Sequence, residues 1–154
     1  MKRPLSYEEA LHKAAAYCSL AEKCPYDVRE KLRAWEVPFA DIEKILVYLQ
    51  KEKFVDEGRY CQAFAKDKFR FAKWGRQKIA YALQAKQLPA DAIRAALETI
   101  DESHYTDSLK ELLLQKQKTL RYKDEYEKKA KLMRFAQSRG FELKAIVEAM
   151  KGIK

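Results

Sequence analysis

The residues whose types and spacing could act on another molecule are concentrated at positions 66–79. This stretch holds six cations and a single acid, Asp67. An arginine can bind a phosphate or a carboxylate through two parallel hydrogen bonds, and a lysine adds a compact positive charge. The pattern predicts a docking face for an anionic partner, either a DNA backbone or an acidic protein groove. The predicted contact residues are Lys66, Lys68, Arg70, Lys73, Arg76 and Lys78.

The same stretch contains apolar side chains that favour a packing role. A helical rotation of about 100° per residue projects Phe64 and Phe71 to one side. It places Lys66, Arg70 and Lys73 on the opposite side, so that core and cations separate. A second interpretation stays open, in which the cations only keep a helix face hydrated. The predicted packing residues are Phe64, Phe71, Trp74 and Ile79.

A second basic region lies between positions 116 and 131, where the acids Asp124, Glu125 and Glu127 dilute seven cations. Such mixed charge is typical of a solvated helix face first and of a contact surface second. Further along the chain, three isolated cations are secondary candidates for contact with a partner. They are Arg134, Arg139 and Lys144.

The residue types that catalysis requires do not occur in useful combinations. The chain has no Gly-x-x-x-x-Gly-Lys motif, and its two histidines, His12 and His104, lie at no metal-binding spacing with a cysteine. The three cysteines have no evident histidine partner, which favours inert or buried thiols. We expect no catalytic residue, no cofactor and no metal, and we expect a protein that is not an enzyme.

Composition indicates which elements position the basic stretch. Of the 154 residues, 47% are hydrophobic and 36% charged, with a net charge of +9 and only four glycines and four prolines. Few turn residues disfavour hairpins, so we predict an all-α protein. An odd number of cysteines, an N-terminus without an apolar signal and the lack of a 20-residue apolar run predict a cytoplasmic protein that binds no membrane.

The helix signals recur along the chain. Ser6 and Glu9 form a capping box, and Pro25 suits the first position of a second helix. Residues 37–42 and 88–93 match in pattern 51 positions apart, and residues 141–146, after a predicted left-handed Gly140, repeat them more weakly. We predict three tandem three-helix repeats, resembling helix-turn-helix units, at 1–55, 56–103 and 104–154.

Over nearly its whole length the chain resembles the RecX family. The middle-unit match is the most specific and rests on Asp56, Tyr60-Cys61-Gln62-Ala63-Phe64, Lys68-Phe69-Arg70-Phe71, Lys73-Trp74-Gly75-Arg76 and Lys78-Ile79. Moderate matches come from Cys24-Pro25-Tyr26-Asp27-Val28 with Lys31-Leu32, and from Arg134-Phe135 with Ser138-Arg139-Gly140-Phe141. The chain departs from the family pattern at Gln87, where a glycine is usual, so this turn needs either another residue in left-handed geometry or a different type of turn.

The resemblance implies a fold and a function. It implies three three-helix units in an elongated, curved array that binds the RecA filament on DNA. It further implies inhibition of the ATPase, strand-exchange and coprotease activities of RecA, within DNA repair, homologous recombination and the SOS response. DNA would be a weak partner, single- or double-stranded, no small molecule would be a substrate, and the protein would be a monomer. The alternative is a basic accessory DNA-binding protein that acts without RecA.

Overall fold

The computed structural model describes residues 3–153 of the chain. Within this range the chain forms nine α-helices and no strand. They are α1 (Tyr7–Leu20), α2 (Pro25–Ala34), α3 (Phe39–Lys51), α4 (Glu57–Arg70), α5 (Arg76–Ala85), α6 (Ala90–Glu98), α7 (Glu102–Thr119), α8 (Glu125–Ser138) and α9 (Leu143–Lys151). The all-α prediction is therefore confirmed, and α7 begins two residues before the predicted start of the third repeat. None of the helices in the described range is long and apolar enough to cross a membrane.

Helices α1–α3 form a first unit with a core of its own. The capping box predicted at Ser6 begins α1, with the Ser6 hydroxyl accepting from the Glu9 backbone N–H at 3.1 Å. Small side chains at Ala10 and Ala14 are buried and let α1 approach the other two helices closely. The remaining core of the unit comes mainly from Val28, Leu32, Val37, Ile42, Ile45, Leu46, Leu49 and Val55.

The second unit (α4–α6) and the third unit (α7–α9) share one continuous core. The ring of Tyr105 in α7 lies between Phe69 of α4 and Phe141 before α9, with ring centroids 5.7 and 5.1 Å apart. Leu83 and Leu109 are fully buried in the same cluster. Because neither unit buries its apolar face alone, we expect the two units to behave as one rigid body.

The same backbone turn joins the second and third helices of every unit. Its central residue has a positive φ in each case: 60° at Glu36, 62° at Gln87 and 91° at Gly140. In each turn the next residue donates back to the carbonyl five positions earlier, as Val37 does to Leu32 at 3.0 Å. This is the Schellman arrangement. The repeat and the left-handed Gly140 are confirmed, and Gln87 supplies the left-handed residue that the missing glycine requires.

The first and second units meet through a polar junction. The Lys86 ammonium donates to the Asp27 carboxylate and to the Tyr60 hydroxyl, each at 2.9 Å. Burial alone would lower the pKa of Lys86, but these two hydrogen bonds outweigh burial and raise the pKa above its ordinary value. A second ion pair, from Arg59 to Glu22 at 2.6 Å, lies on the same junction. The first unit is thus held by specific charged contacts, together with Cys24 and Tyr26, which pack against the core of the second and third units.

Candidate docking surface

The C-terminal half of α4 presents the cations that lie on one exposed face. Lys66 and Arg70 are four residues apart, so they project from the same side of the helix, and both are exposed. Lys73 follows in the turn after α4, with a φ of 59°, and is exposed as well. None of the three forms an ion pair within the described range of the chain. They form the basic wall of a groove between α4 and α7, which we call the α4–α7 groove.

The opposite wall of this groove is acidic. Asp107 and Glu111 lie four residues apart on α7 and share a face. Asp101 caps the same helix, where its carboxylate accepts from the His104 backbone N–H at 3.1 Å. The groove between the two walls has a volume of about 890 Å³. Three cations therefore face three carboxylates across an open cleft.

The floor of the groove is apolar. Phe69 and Ile100 line it, and Phe69 is held in place by its stack on Tyr105. Phe71 stands at the edge, with 76% of its surface exposed. The prediction that Phe71 packs in the core is therefore wrong. The chain turns after Arg70, and Trp74 returns to cover Phe64 at a centroid distance of 6.2 Å.

The groove is chemically suited to a segment of protein. A phosphodiester chain would meet three carboxylates on one wall as well as three cations on the other, and like charges at short range repel. A polypeptide can place residues of both signs against the two walls and bury an apolar side chain on the floor. An exposed aromatic such as Phe71 is typical of residues that anchor protein interfaces.

Arg76 does not belong to the exposed basic face. Its side chain is only 19% exposed, and its guanidinium binds Glu102 at 2.6 Å and Glu142 at 3.2 Å. It also lies 3.9 Å from the ring centroid of Tyr105, whose hydroxyl donates to Glu142 and accepts from the Arg76 backbone N–H. The prediction that Arg76 shares an exposed side with Lys66 is wrong, because this residue joins the second unit to the third.

Tyr105 lies at the centre of this junction. Burial, followed by the hydrogen bond to Glu142, raises the pKa of its hydroxyl above the ordinary value. The phenol therefore stays protonated and can donate to Glu142 at any physiological pH. The Tyr105–Glu142 hydrogen bond and the Arg76 ion pairs all have their partners within the protein. This junction between the second and third units is therefore structural.

The other predicted residues divide between packing and separate surfaces. Ile79 is fully buried, and Phe64 and Trp74 pack against the same core. Lys68 and Lys78 both lie over the Trp74 ring rather than on the groove wall. The secondary candidates also lie apart from the groove lining: Arg134 and Lys144 are exposed, and Arg139 is half-buried beside Phe135.

Sequence reasoning missed the acidic wall of the groove. Asp101 caps the start of α7, but its place opposite α4 depends on how two distant helices pack. A signal was present in the four-residue spacing of Asp107 and Glu111 on the exposed side of a predicted helix. The spacing alone does not reveal which helix these acids face.

Two family models match the part of the chain that contains this groove. "RecX, second three-helix domain" matches residues 56–97, and "RecX, third three-helix domain" matches residues 104–150. The chain belongs to the RecX family. The two matched segments coincide with the units that share a core, and the groove lies between them.

Curated RecX proteins match most of the chain. The regulatory protein RecX of Clostridium beijerinckii is 29% identical over 133 residues, which is 85% of this chain and 62% of that protein. The RecX of Clostridium acetobutylicum is 29% identical over 152 residues, or 96% of this chain and 70% of that protein. The RecX of Clostridium botulinum strain Eklund 17B is 31% identical over 131 residues, or 84% and 61%. The chain thus spans about two thirds of the length of these relatives.

Solved RecX structures share the fold. The crystal structure of RecX from Lactobacillus salivarius superposes with a TM-score of 0.85 at 16% identity, covering 94% of each chain. A second structure, described as regulatory protein RecX, gives a TM-score of 0.83 at 19% identity and covers 94% of this chain and 73% of the other. At these identities the likeness supports the fold, including all three units.

Proposed function

We propose that this RecX-family chain is a regulator that binds the RecA filament on DNA and inhibits its ATPase, strand-exchange and coprotease activities. The observation that carries the proposal is the match of two RecX three-helix models around the α4–α7 groove, whose walls suit a protein partner. The relatives named as regulatory proteins support the same role. We propose a cytoplasmic monomer that acts by binding and catalyses no reaction.

The mechanism needs only unequal binding. A filament has more than one conformational state, and a protein that binds one state more tightly shifts the population toward it. The rigid body of the second and third units can hold a filament segment in its groove, while the first unit adds contacts next to it. If the preferred state hydrolyses ATP slowly, binding lowers the ATPase rate without any active site on the regulator.

The direct test is the ATPase rate of RecA on single-stranded DNA with increasing amounts of this chain. We expect inhibition at amounts of the chain below those of RecA. The triple charge reversal Lys66→Glu, Arg70→Glu and Lys73→Glu should raise the inhibitory concentration by roughly tenfold or more, because interfacial charge pairs contribute about 1.5 kcal/mol or more each. The matched control, Lys44→Glu with Lys51→Glu and Arg94→Glu, reverses three exposed cations that form no ion pair within residues 3–153. Equal inhibition by all three proteins would refute the groove assignment.

The acidic wall allows a sharper test of what occupies the groove. Replacing Asp107 and Glu111 with lysine should also weaken inhibition if a protein segment lies between the walls. If a nucleic acid lay there, the same change would remove repulsion and strengthen binding to DNA. Only a protein segment in the groove predicts that reversing the charges of either wall weakens inhibition.

The second candidate function is a basic accessory DNA-binding protein that acts without RecA. The observation in its favour is the net charge of +9. It predicts tight, steeply salt-dependent DNA binding by the chain alone, and a RecA ATPase rate that falls only when the chain is present in amounts large enough to cover the DNA. The ATPase assay and a DNA titration without RecA therefore separate the two candidates.

A further inference from the structure

The α4–α7 groove is a charge-balanced patch on a strongly basic protein. The chain carries a net charge of +9, whereas the residues that line the groove carry as many positive as negative charges. All six charged side chains of the two walls are exposed. They are Lys66, Arg70 and Lys73 on the basic wall and Asp101, Asp107 and Glu111 on the acidic wall. Two copies of a basic protein repel each other over most of their surface, and this repulsion is smallest where the charges balance.

The charges of both walls are available to another molecule. The three cations form no ion pair within residues 3–153, and neither do Asp107 and Glu111. Asp101 accepts from the Ser103 hydroxyl at 2.6 Å and from the His104 backbone N–H at 3.1 Å, both within the first turn of α7. The opposite charges of the two walls are therefore kept apart by the cleft, and a molecule that brings both signs can pair with both walls.

The two walls make the groove complementary to itself. In a symmetric dimer the same patch of each copy faces the other copy. A two-fold axis that runs along the groove places the basic wall of each copy opposite the acidic wall of the other. An axis that runs across the groove would place like charges opposite each other, which is unfavourable. Only the first arrangement gives favourable charge pairs along both walls.

The apolar residues of the groove support the same pairing. Phe71 is largely exposed at the edge, and Phe69 and Ile100 form the floor. Burying a phenylalanine side chain is favourable, and in the single chain nothing within the described range covers Phe71. An exposed aromatic beside an apolar depression gives each copy both an anchor and a surface that receives one.

We propose that a second copy of this chain occupies the α4–α7 groove, in a symmetric dimer whose axis runs along the groove. The pairing is weak, because 13 residues line the groove, against roughly 20 to 30 on each side of a stable interface. We expect a dissociation constant of about 10 to 100 µM. The monomer remains the form that binds a partner. If the proposed function holds, on which this step rests, a paired copy is withheld from the RecA filament, because both contacts use the same groove.

The direct measurement is sedimentation equilibrium of the full chain without RecA. Concentrations from about 5 to 500 µM bracket the expected dissociation constant. We expect an equilibrium between monomer and dimer. A chain that stays monomeric at the highest concentration overturns the proposal. Growth beyond the dimer overturns it as well, because a symmetric contact is closed at two copies.

Charge reversal of one wall should weaken the pairing. Lys66→Glu with Arg70→Glu makes both walls mainly acidic, and Asp107→Lys with Glu111→Lys makes both walls mainly basic. Each variant alone should associate at least tenfold more weakly than the wild type, because facing charges now repel. An equimolar mixture of the two variants should associate again, because a mainly acidic groove then faces a mainly basic one. A mixture that stays monomeric contradicts the symmetric arrangement.

Two control variants change the net charge equally but away from the groove. Lys44→Glu with Lys51→Glu matches the basic-wall variant, and Glu52→Lys with Glu98→Lys matches the acidic-wall variant. All four positions are exposed and lie outside the groove lining. Both controls should associate within about threefold of the wild type, because distant surface charges are screened by salt. A loss as large as that of the wall variants would reveal a general charge effect and overturn the proposal.

Phe71→Ala tests the apolar part of the contact without a change of charge. Because Phe71 is exposed in the monomer, this variant should keep its fold by circular dichroism. Its association should weaken by roughly tenfold, since each dimer loses two buried rings. The same variant decides the question if a wall variant fails to fold, and unchanged association overturns the proposal.

A variant with both walls reversed separates this inference from the proposed function. With Lys66, Arg70, Asp107 and Glu111 all reversed, the groove is again complementary to itself, and the protein should pair within about threefold of the wild type. The charges no longer match those of RecA, so inhibition should stay weak. A wild-type chain that pairs but never inhibits RecA refutes the proposed function alone. A wild-type chain that inhibits RecA but never pairs refutes this inference alone.

Discussion

Gly75 lies directly against the backbone of Gly140, so that the second and third units touch without an intervening side chain. A Cβ atom placed on Gly75 would come 2.5 Å from the carbonyl carbon and oxygen of Gly140 and from the nitrogen of Phe141. The Gly75 and Gln77 amides donate to the carbonyls of Arg139 and Gly140 at 2.7 and 2.9 Å. The start of α5 is thus hydrogen-bonded to the turn before α9, and this contact fixes the angle between the units.

Gly75→Ala should destabilise the protein by about 3 kcal/mol, because a methyl group cannot enter a backbone–backbone contact without separating the units. The conformation of Gly75 itself is extended (φ −83°, ψ 173°), so the loss would come from the contact and not from backbone strain. The free energy of unfolding in urea measures it.

Gly58→Ala is the matched control for this substitution. Gly58 lies in the first turn of α4, where an added Cβ has only the Asp56 carboxylate at 3.5 Å. Alanine costs less entropy than glycine in a helix, so this change should stabilise the protein by about 0.5 kcal/mol. If Gly75→Ala has the same sign, the units do not meet through this contact.

At the repeated turns, where one residue has left-handed geometry, a change to glycine rather than from glycine should stabilise the protein. Gln87 has a φ of 62° where the third unit has a glycine, and a side chain in this region costs about 1 kcal/mol or more. After the entropy cost of glycine, Gln87→Gly should still stabilise the protein by about 0.5 kcal/mol. Gln84→Gly, inside α5, should destabilise it by about 1 kcal/mol. Thermal unfolding of the two variants compares them, and destabilisation by both would show that Gln87 is not strained.

The fold was largely predictable because its signals are local. Pro38 and Pro89 occupy the N-cap positions of α3 and α6, the third helices of the first and second units. The Ser6 capping box and the left-handed Gly140 are also readable from a few neighbouring residues. These features depend on backbone chemistry within one turn, so they can be predicted without knowledge of the tertiary contacts, with which they agree here.

The candidate site was less predictable because it depends on contacts between distant segments. The helical spacing predicts that Phe71 projects from the same side of α4 as Phe64. However, α4 ends at Arg70, and no other helix packs over the position of Phe71. Arg76 looked like one more cation of a basic run, while its partners Glu102 and Glu142 lie 26 and 66 residues away. Composition reports the sign of a charge and not whether a partner neutralises it.

The polar junction between the first two units predicts a localised effect of one lysine. Lys86→Met removes the cation that Asp27 faces, and the Asp27 side chain is only 17% exposed. A buried charge left without its partner should destabilise the folded protein by about 2 kcal/mol. The connection at residues 52–56 should also become more sensitive to protease, because the first unit has its own core and can separate as a body.

Arg33→Met provides the comparison. Arg33 pairs with Glu30 at 2.8 Å, but both side chains are at least half exposed, so the loss should be about 0.5 kcal/mol. A double-mutant cycle of Lys86→Met with Asp27→Asn should give a coupling energy of about 1 kcal/mol or more. No coupling, or equal protease sensitivity of the two methionine variants, would assign the junction to other contacts.

The buried thiols predict how stability depends on pH. Burial raises the pKa of Cys24 and of Cys61 from 9.0 to about 11. A raised pKa in the folded state leaves stability intact below about pH 9, and stability falls as the pH rises toward 11, since only the unfolded chain ionises easily. Each fully buried thiol contributes about 2 kcal/mol to this loss. Thermal unfolding between pH 7 and 11 measures it, and Cys61→Ala should flatten the upper part of the profile.

The same burial makes the thiols slow to react in the folded protein. At pH 8 a thiol with a pKa near 11 is about 0.1% thiolate, and only the thiolate is nucleophilic. Labelling with a thiol reagent should therefore be slow in buffer and complete within minutes in urea. Rapid labelling of Cys24 or Cys61 without denaturant would contradict their burial.

A conservative substitution at Arg76 distinguishes a structural role of this residue from a role in binding a partner. Arg76→Lys keeps the charge, but an ammonium lacks the planar fork that binds Glu102 and Glu142 at once while lying 3.9 Å from the centroid of the Tyr105 ring. We expect a loss of about 2 kcal/mol in the free energy of unfolding, with RecA inhibition and DNA affinity unchanged at temperatures where the variant is folded. Arg94→Lys, at an exposed cation without an ion pair in the described range, should change none of these quantities. If the Arg76→Lys protein were as stable as the wild type but no longer inhibited RecA, Arg76 would be a contact residue. The junction between the second and third units would then lie on the docking surface rather than beneath it.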